Sequence, residues 1–283
     1  MKSKLITILF VFLAHILFSQ TIIPNGNEVS GTWKKSKSPY IIEGEAIVPK
    51  GKTLKIKKGV EIKFKSGTDK DYRLNGVLNR NFNTGFLRVN GKIIAEGSKN
   101  DRILFTQNGQ GTWGNVFIDS RSAGILFKYC VFEGGYFIRG ITETDNATGA
   151  LSFYNATGMV EYCTFRNNGW TALNCKLNAA PVFKNVTIVG NNFGVECNSN
   201  STPKIINAII WNNTTAFYMN GDAMPQFSFS LIQGYSMDAL YDKGSNIFGR
   251  DPGFKNAGKN DFSLTSVSPC RESGDGGVDM GAE

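Results

Sequence analysis

A repeat of 22 residues constrains the fold of this chain more than any other feature of its sequence. Residues 181–188 are matched by residues 203–210 and again by residues 225–232, and each segment begins with proline. Related segments lie further toward the N-terminus, at 160–165 and 127–132. A fixed period of this length is typical of a solenoid, in which each repeat forms one coil.

Alignment of the five segments places mostly apolar residues in columns. The runs between them are short, β-rich and broken by Asn-Asn or glycine, unlike the i, i+3, i+4 spacing of a helix. The columns are Phe127, Val160, Phe183, Ile205 and Phe227; Phe132, Phe165, Ile188, Ile210 and Ile232; Cys130, Cys163, Val186, Ala208 and Ser230; and Phe153, Cys175, Cys197, Met219 and Tyr241.

Strands that return after one short coil must run parallel, about 4.8 Å apart. Crossovers between parallel strands are right-handed in nearly all proteins. The sequence therefore predicts an all-β fold, a single-domain right-handed parallel β-helix of about 22 residues per coil. The inward columns are expected to stabilise it coil by coil, because each apolar side chain is buried by the coils above and below it.

Two stretches outside the repeat sharpen this assignment. One contains Gly31-Thr32-Trp33 and Ser38-Pro39-Tyr40; the other contains the runs 251–254, 268–270 and 279–282. With the repeat, they resemble the entry and closing segments of secreted right-handed parallel β-helix repeat proteins, the group with pectate-lyase-like folds. The resemblance implies the fold and leaves the function open, because this group includes lyases, hydrolases and adhesins.

The N-terminus predicts export from the cytoplasm. Lys2 and Lys4 precede an apolar run at 5–18 that is too short for a membrane span, and cleavage is expected between Ser19 and Gln20. The expected organisation is a signal peptide at 1–19, an entry segment at 20–45, a β-helix at 46–245 and a closing segment at 246–283. The mature protein is expected to be extracellular or at the cell surface and not to span the membrane.

Charge is distributed unevenly along the chain. Residues 21–110 carry 17 Lys and Arg against 8 Asp and Glu, whereas residues 111–283 carry 12 against 15. A basic end can attract anionic glycans. Nucleic acid is not an expected partner, since the chain lacks any recognition motif for it. Lysines alternate with apolar residues over 54–65, as on the solvated face of a strand, and that interpretation is favoured.

Histidine chemistry is excluded from the mature chain, because its one histidine, His15, lies in the predicted signal peptide. If the protein is a polysaccharide lyase, the resemblance implies that a Lys or Arg acts as the base that removes a proton next to a uronate carboxylate. Calcium or Arg would then neutralise that carboxylate. The longest coil has ten additional residues within 134–149, a plausible place for such a site. The candidates for catalysis in this coil are Arg139, Glu143 and Asp145. The alternative is that these residues form a solvated loop with local ion pairs.

Further residues are candidates for binding. Tyr136, Trp170 and Trp211 are candidates for stacking on sugar rings, whereas Trp33 and Trp113 are expected to pack in the interior. Carboxylates could ligate calcium, but their spacing matches no calcium loop, so turn-forming roles are favoured and no metal site is assigned. These carboxylates are Asp251, Asp261, Asp275 and Asp279.

The five cysteines are Cys130, Cys163, Cys175, Cys197 and Cys270. They are expected to be mainly buried thiols, because stacked neighbours have parallel Cβ vectors that do not converge for a disulfide. A disulfide between Cys175 and Cys197, or between Cys130 and Cys163, is the alternative.

Three functions remain open. The favoured one is a carbohydrate-binding or cell-surface interaction module, with a polysaccharide or cell-surface glycan as partner. The alternatives are a polysaccharide lyase acting on a uronate glycan and a structural or adhesive solenoid without catalysis. The sequence does not decide whether the protein is an enzyme.

Overall fold

The computed structural model describes residues 20–67, 73–74, 77–78, 84–119, 124–138, 147–234 and 236–283. Three long parallel sheets form a solenoid, and the chain passes from the first sheet to the second, then the third, and back to the first. The fold is the predicted parallel β-helix. The predicted signal peptide, 1–19, lies outside the described residues.

The strands of each sheet follow one another along the solenoid axis. The first sheet contains Thr21–Ile23, Tyr40–Ile42, Glu61–Lys65, Ile103–Asn108, Cys130–Glu133, Thr164–Arg166, Thr187–Val189, Ile209–Trp211, Leu231–Ile232 and Ile247–Phe248. The second contains Asn27–Glu28, Glu45–Val48, Phe86–Val89, Val116–Asp119, Leu151–Tyr154, Thr171–Lys176, Phe193–Asn198 and Thr215–Asn220. The third contains Gly31–Trp33, Thr53–Lys57, Lys92–Glu96, Leu126–Lys128, Met159–Glu161, Val182–Lys184, Lys204–Ile206 and Gln226–Ser228.

Smaller elements decorate the solenoid. Three antiparallel pairs are Arg73–Leu74 with Val77–Leu78, Phe137–Ile138 with Ala147–Thr148, and Phe254–Asn256 with Asp261–Leu264. Two short 3-10 helices are Lys35–Lys37 and Ala257–Lys259.

The predicted inward columns are register partners in adjacent strands. Phe183 pairs with Ile205 and Ile205 with Phe227 in the third sheet. Phe165 pairs with Ile188 in the first sheet, and all of these side chains are fully buried. Because every coil buries its apolar side chains against two neighbours, the core extends along the whole solenoid axis.

Aromatic stacks reinforce this core. The rings of Phe105, Phe132 and Phe165 stack with centroids 4.4 and 4.8 Å apart. As predicted, Trp33 and Trp113 pack in the interior, with Trp113 stacked on a phenylalanine ring at 4.2 Å.

The second-sheet column departs from the prediction at its last position. Phe153, Cys175, Cys197 and Met219 are register partners, but Tyr241 is not in a strand of this sheet. After Thr215–Asn220 the second sheet ends, and Tyr241 packs against the core from outside any strand. The last coil is therefore shorter than the others: Leu231 pairs with Ile247, 16 residues later, and Phe227 pairs with Asp242, so the 22-residue period ends here.

The lysine-rich run at 54–65 forms two strands rather than one. Thr53–Lys57 belongs to the third sheet and Glu61–Lys65 to the first, with a corner between them. Within Thr53–Lys57, Leu54 and Ile56 are buried and the two lysines are exposed, as the alternation predicts.

In five successive coils, a left-handed residue makes the corner between the third and first sheets. Tyr129, Tyr162, Asn185, Asn207 and Phe229 occupy this position in five successive coils, all with φ near 50°. Asparagine tolerates this conformation better than other non-glycine residues. The repeated corner keeps successive coils in register.

Candidate functional site

Most of the predicted closing segment, residues 246–283, lies against the outer face of the first sheet, but its Ile247–Phe248 is the last strand of that sheet. Cys270 and Met280 form a buried apolar cluster with Ile209 and Leu231 of that sheet. The Ala282 amide donates to the Thr187 hydroxyl at 3.0 Å. From Thr187 to Leu231, this face of the solenoid is therefore buried by the closing segment.

Trp211 lies beneath the closing segment. Its side chain is half-buried and packs against the same apolar cluster, together with Phe254 and Leu264 of that segment. This contact provides a packing role for Trp211, and it places Trp211 on a different sheet from Trp170.

Tyr136 and Trp170 do come together, at the edge where the strands of the second sheet begin. Their ring centroids are 6.1 Å apart with the rings at 83°. Phe137 lies 6.0 Å from Trp170, Phe193 lies 5.6 Å from it, and Tyr218 lies 6.1 Å from Phe193. We call Tyr136, Phe137, Trp170, Phe193 and Tyr218 the aromatic row.

The aromatic row is partly open to solvent. Tyr218 is 46% exposed and the other four side chains are half-buried. Its members come from four successive coils, so the row extends about 14 Å along the solenoid axis. A contiguous exposed aromatic surface of this kind is typical of an interaction site.

A carboxylate lies beside the aromatic row. Glu196 is the register partner of Tyr218, and its Oε2 accepts hydrogen bonds from the hydroxyls of Thr148 and Thr171, both at 2.9 Å. Its Oε1 accepts from the amide of Asn198 at 3.0 Å. Three donors thus fix the orientation of a half-exposed carboxylate.

Glu196 also attaches the long coil's insertion to the solenoid. Thr148 ends the hairpin of Phe137–Ile138 with Ala147–Thr148, whereas Thr171 begins a strand of the second sheet. Both hydroxyls donate to one carboxylate oxygen. The described ends of the insertion, residues 134–138 and 147–149, therefore lie beside Trp170 and Glu196.

A buried amide beside Glu196 has unused hydrogen-bonding capacity. Asn174 pairs in register with Glu196 on the outer face of the second sheet and is 1% exposed. Its Oδ1 has no hydrogen-bond partner within the described part of the chain. A buried acceptor without a partner is costly, so Asn174 is a polar feature that packing alone does not explain.

The proposed catalytic residues Arg139, Glu143 and Asp145 lie outside the described residues. Their roles, and with them the lyase hypothesis and its calcium, stay predictions. Among the residues with described positions, no cluster of three or more His, Cys, Asp or Glu could hold a metal ion.

The four aspartates considered for calcium lie in the closing segment. Asp251 accepts a hydrogen bond from the Gly253 amide at 2.7 Å, and Asp261 accepts one from the Ser263 amide at 3.1 Å. Asp279 accepts from the Glu272 amide at 2.8 Å, and the Asp275 amide donates to Asn207. Asp251 and Asp261 each accept from the amide two residues ahead, as in the turn-forming role favoured above, whereas Asp279 closes a loop of seven residues.

One asparagine of each Asn-rich turn is structural. Asn168, Asn191 and Asn213 form a buried ladder, in which each Nδ2 donates to the next Oδ1 at 2.8 Å. Backbone groups satisfy their remaining capacity, including the carbonyls of Phe132 and Phe165. These three amides are unavailable to a ligand.

A concave feature lies between a corner of the first sheet and the closing segment. Its volume is about 350 Å³. Its described lining consists of neutral side chains and backbone, so it offers shape without charge. The lining residues are Asn167, Val189, Gly190, Asn212, Ala257, Gly258, Asn260 and Phe262.

All five cysteines are buried and free, as the favoured interpretation predicts. Burial raises the pKa of Cys130 and of Cys175 well above the ordinary thiol value, and neighbouring Cys163 and Cys197 add to the effect. Burial also raises the pKa of Cys270 to about 12. Protonated thiols are poor nucleophiles, so these three cysteines are unsuited to catalysis at neutral pH.

Sequence inspection missed Phe137, Phe193, Tyr218 and Glu196. A signal was present for two of them, since Glu196 and Tyr218 continue a column with Ser152 and Asn174 at 22-residue spacing. That column lies one residue before the inward column of the same sheet and therefore faces outward. Phe137 and Phe193 lie outside it, at strand ends, where periodicity gives no signal.

These observations define a parallel β-helix protein with one sheet face covered by its own C-terminal segment and an aromatic surface beside an insertion. Residues 82–232 match the family model for the right-handed β-helix region. The match covers more than half of the chain, so the protein belongs to the right-handed β-helix family. Comparison with the curated proteins gave no match, and comparison with the solved structures gave none either.

No helix in the described ranges has the length and apolar character needed to cross a membrane.

Proposed function

We propose that the protein is a carbohydrate-binding module that holds a glycan chain along the aromatic row. The observation that carries this proposal is the unbroken set of ring contacts from Tyr136 through Trp170 and Phe193 to Tyr218. Aromatic side chains combine a large apolar face with low conformational freedom, which suits them to the apolar faces of sugar rings.

Polar groups beside the row would orient the sugar. Glu196 can accept hydrogen bonds from sugar hydroxyl groups, whereas the amide of Asn198 can accept or donate them, and both side chains are half-exposed. Binding sites commonly combine an apolar surface with a few such fixed polar groups. The row is elongated along the axis, so a chain of sugars fits it better than a single ring.

The predicted export is consistent with the same proposal. The predicted signal peptide at 1–19 would deliver the aromatic row to a compartment where polysaccharides and cell-surface glycans are available. The rigid solenoid would hold the row in place without rearrangement, which limits the entropy lost on binding.

A tryptophan comparison tests this proposal. Trp170→Ala is expected to weaken binding about tenfold or more to whichever glycan retains the wild-type protein. An aromatic residue at the centre of a binding site contributes roughly 2 kcal/mol to the binding free energy. Trp211→Ala removes the same side chain from beneath the closing segment and should leave the affinity within about twofold. Affinity gels and a glycan array that includes neutral polysaccharides provide the measurement.

Two results would contradict the proposal. One is that the wild-type protein is retained on no glycan. The other is that Trp170→Ala and Tyr218→Ala bind as tightly as the wild type while both variants keep its circular dichroism spectrum.

A further inference from the structure

A run of lysines lies across the outer face of the third sheet near the N-terminal end of the solenoid. Lys55 and Lys57 point outward from the strand Thr53–Lys57, and Lys50, Lys52 and Lys58 lie at the corners on either side of it. All five side chains are exposed. We call these five residues the basic strip.

The basic strip lacks ion-pair partners. Within the described part of the chain, none of its five ammonium groups lies within 4 Å of a carboxylate, whereas nearby Lys35 pairs with Asp101 at 2.8 Å. Glu96, the register partner of Lys57, is exposed and forms no ion pair with any residue that the structure describes. The strip therefore presents uncompensated positive charge.

Charge is balanced further along the same sheet. The column that begins with Lys57 continues with Glu96, Lys128, Glu161 and Lys184, so its sign alternates from coil to coil. Lys128 and Glu161 are 3.6 Å apart. Among the described strands of this sheet, like charge accumulates at the first coils, where exposed Lys34 follows Trp33, the register partner of Ile56.

We propose that the basic strip binds a linear anionic polysaccharide, carrying carboxylate or sulfate groups, that runs across the third sheet. Successive outward residues of a strand are about 6.6 Å apart, so Lys55 and Lys57 offer a regular row of charges to a polymer with repeated anions. Such a polymer relieves the mutual repulsion of the lysines. The strip is on a different sheet from the aromatic row, so this site is independent of the proposed glycan module.

A pair of matched double variants tests the proposal. Lys204 lies in the same column as Lys55, and Lys184 in the same column as Lys57, near the other end of the sheet. Lys55→Gln with Lys57→Gln and Lys184→Gln with Lys204→Gln therefore remove equal charge from equivalent positions. The probes are heparin and polygalacturonate, each immobilised, with elution by a salt gradient.

The wild type and the Lys184/Lys204 variant are expected to elute at similar salt concentrations. The Lys55/Lys57 variant should elute at a lower salt concentration, and its affinity at low salt should be lower by about tenfold. The reason is that a protein with fewer lysine contacts to the polymer releases fewer counterions when it binds. Retention on heparin alone identifies sulfate as the anion, and retention on polygalacturonate alone identifies carboxylate. Trp170→Ala should be retained like the wild type, which separates this test from that of the aromatic row.

Equal losses in the two double variants would overturn the proposal, because net charge rather than the strip would then explain retention. Lack of wild-type retention on both polymers would also overturn it. So would binding to vesicles containing anionic lipid when neither polysaccharide is bound, since the partner would then be a membrane surface. All four lysines lie on exposed or half-exposed positions, so both double variants are expected to fold.

Discussion

At the scale of single residues, the asparagine ladder connects three coils inside the molecule. Asn191 is its central member, and its Oδ1 accepts hydrogen bonds from both the amide and the side chain of Asn168. Its own Nδ2 donates to the Phe165 carbonyl and to Asn213. Each amide therefore satisfies groups of two neighbouring coils, where water cannot reach.

Asn191→Ala is expected to lower the free energy of unfolding by about 2–4 kcal/mol, because it leaves several buried polar groups without partners. Asn192→Ala alters the adjacent, half-exposed asparagine and should change the free energy of unfolding by less than about 0.5 kcal/mol. Urea denaturation followed by circular dichroism measures both. Equal effects of the two substitutions would show that the ladder does not stabilise the fold.

Inward positions could be predicted from the sequence at this scale, and outward environments could not. The inward column of Phe183, Ile205 and Phe227 could be predicted, because a 22-residue repeat puts chemically similar residues on the same side of every coil. Trp170 and Trp211 both adjoin Asn-rich turns, yet the closing segment packs on Trp211 and leaves Trp170 in the aromatic row. Which outer face a distant segment covers depends on tertiary contacts that the repeat does not encode.

At the scale of elements, the closing segment packs along the side of the first sheet and contacts several coils. The side chain of Arg102 donates to the Ala282 carbonyl at 2.5 Å and lies 3.3 Å from the carboxylate of Glu283. Nearer the other end of the sheet, Met280 and Cys270 are buried against Ile209 and Leu231. The segment was recognised in the sequence by its motifs, but its course along the side of the solenoid was not predictable from them.

Met280→Asp is expected to detach the closing segment, since it places a charge in an apolar cluster where the native side chain is 2% exposed. Trypsin should then cleave after Arg271, which lies in the same segment. Val278→Asp introduces the same charge at a residue that is 46% exposed and should leave the segment docked and resistant. Limited proteolysis with mass spectrometry distinguishes the two, and cleavage at equal rates would argue against docking through Met280.

At the scale of the whole molecule, stability is distributed along one dimension. Each coil contacts only its neighbours, so an interior coil buries its side chains from both sides and a terminal coil from one. The first coils use short strands, such as Asn27–Glu28, and the second sheet ends at Thr215–Asn220. Between these ends, the closing segment adds contacts to the first sheet from Arg102 to Leu231.

Amide hydrogen exchange is therefore expected to be slowest in the interior first-sheet strands Cys130–Glu133, Thr164–Arg166 and Thr187–Val189. It should quicken toward Thr21–Ile23, because a terminal coil can open without disrupting the coils beyond its single neighbour. Mass spectrometry of peptides from the full chain measures this gradient. Uniform exchange across all coils would instead indicate that the solenoid opens as one cooperative unit, and the one-dimensional account of its stability would be wrong.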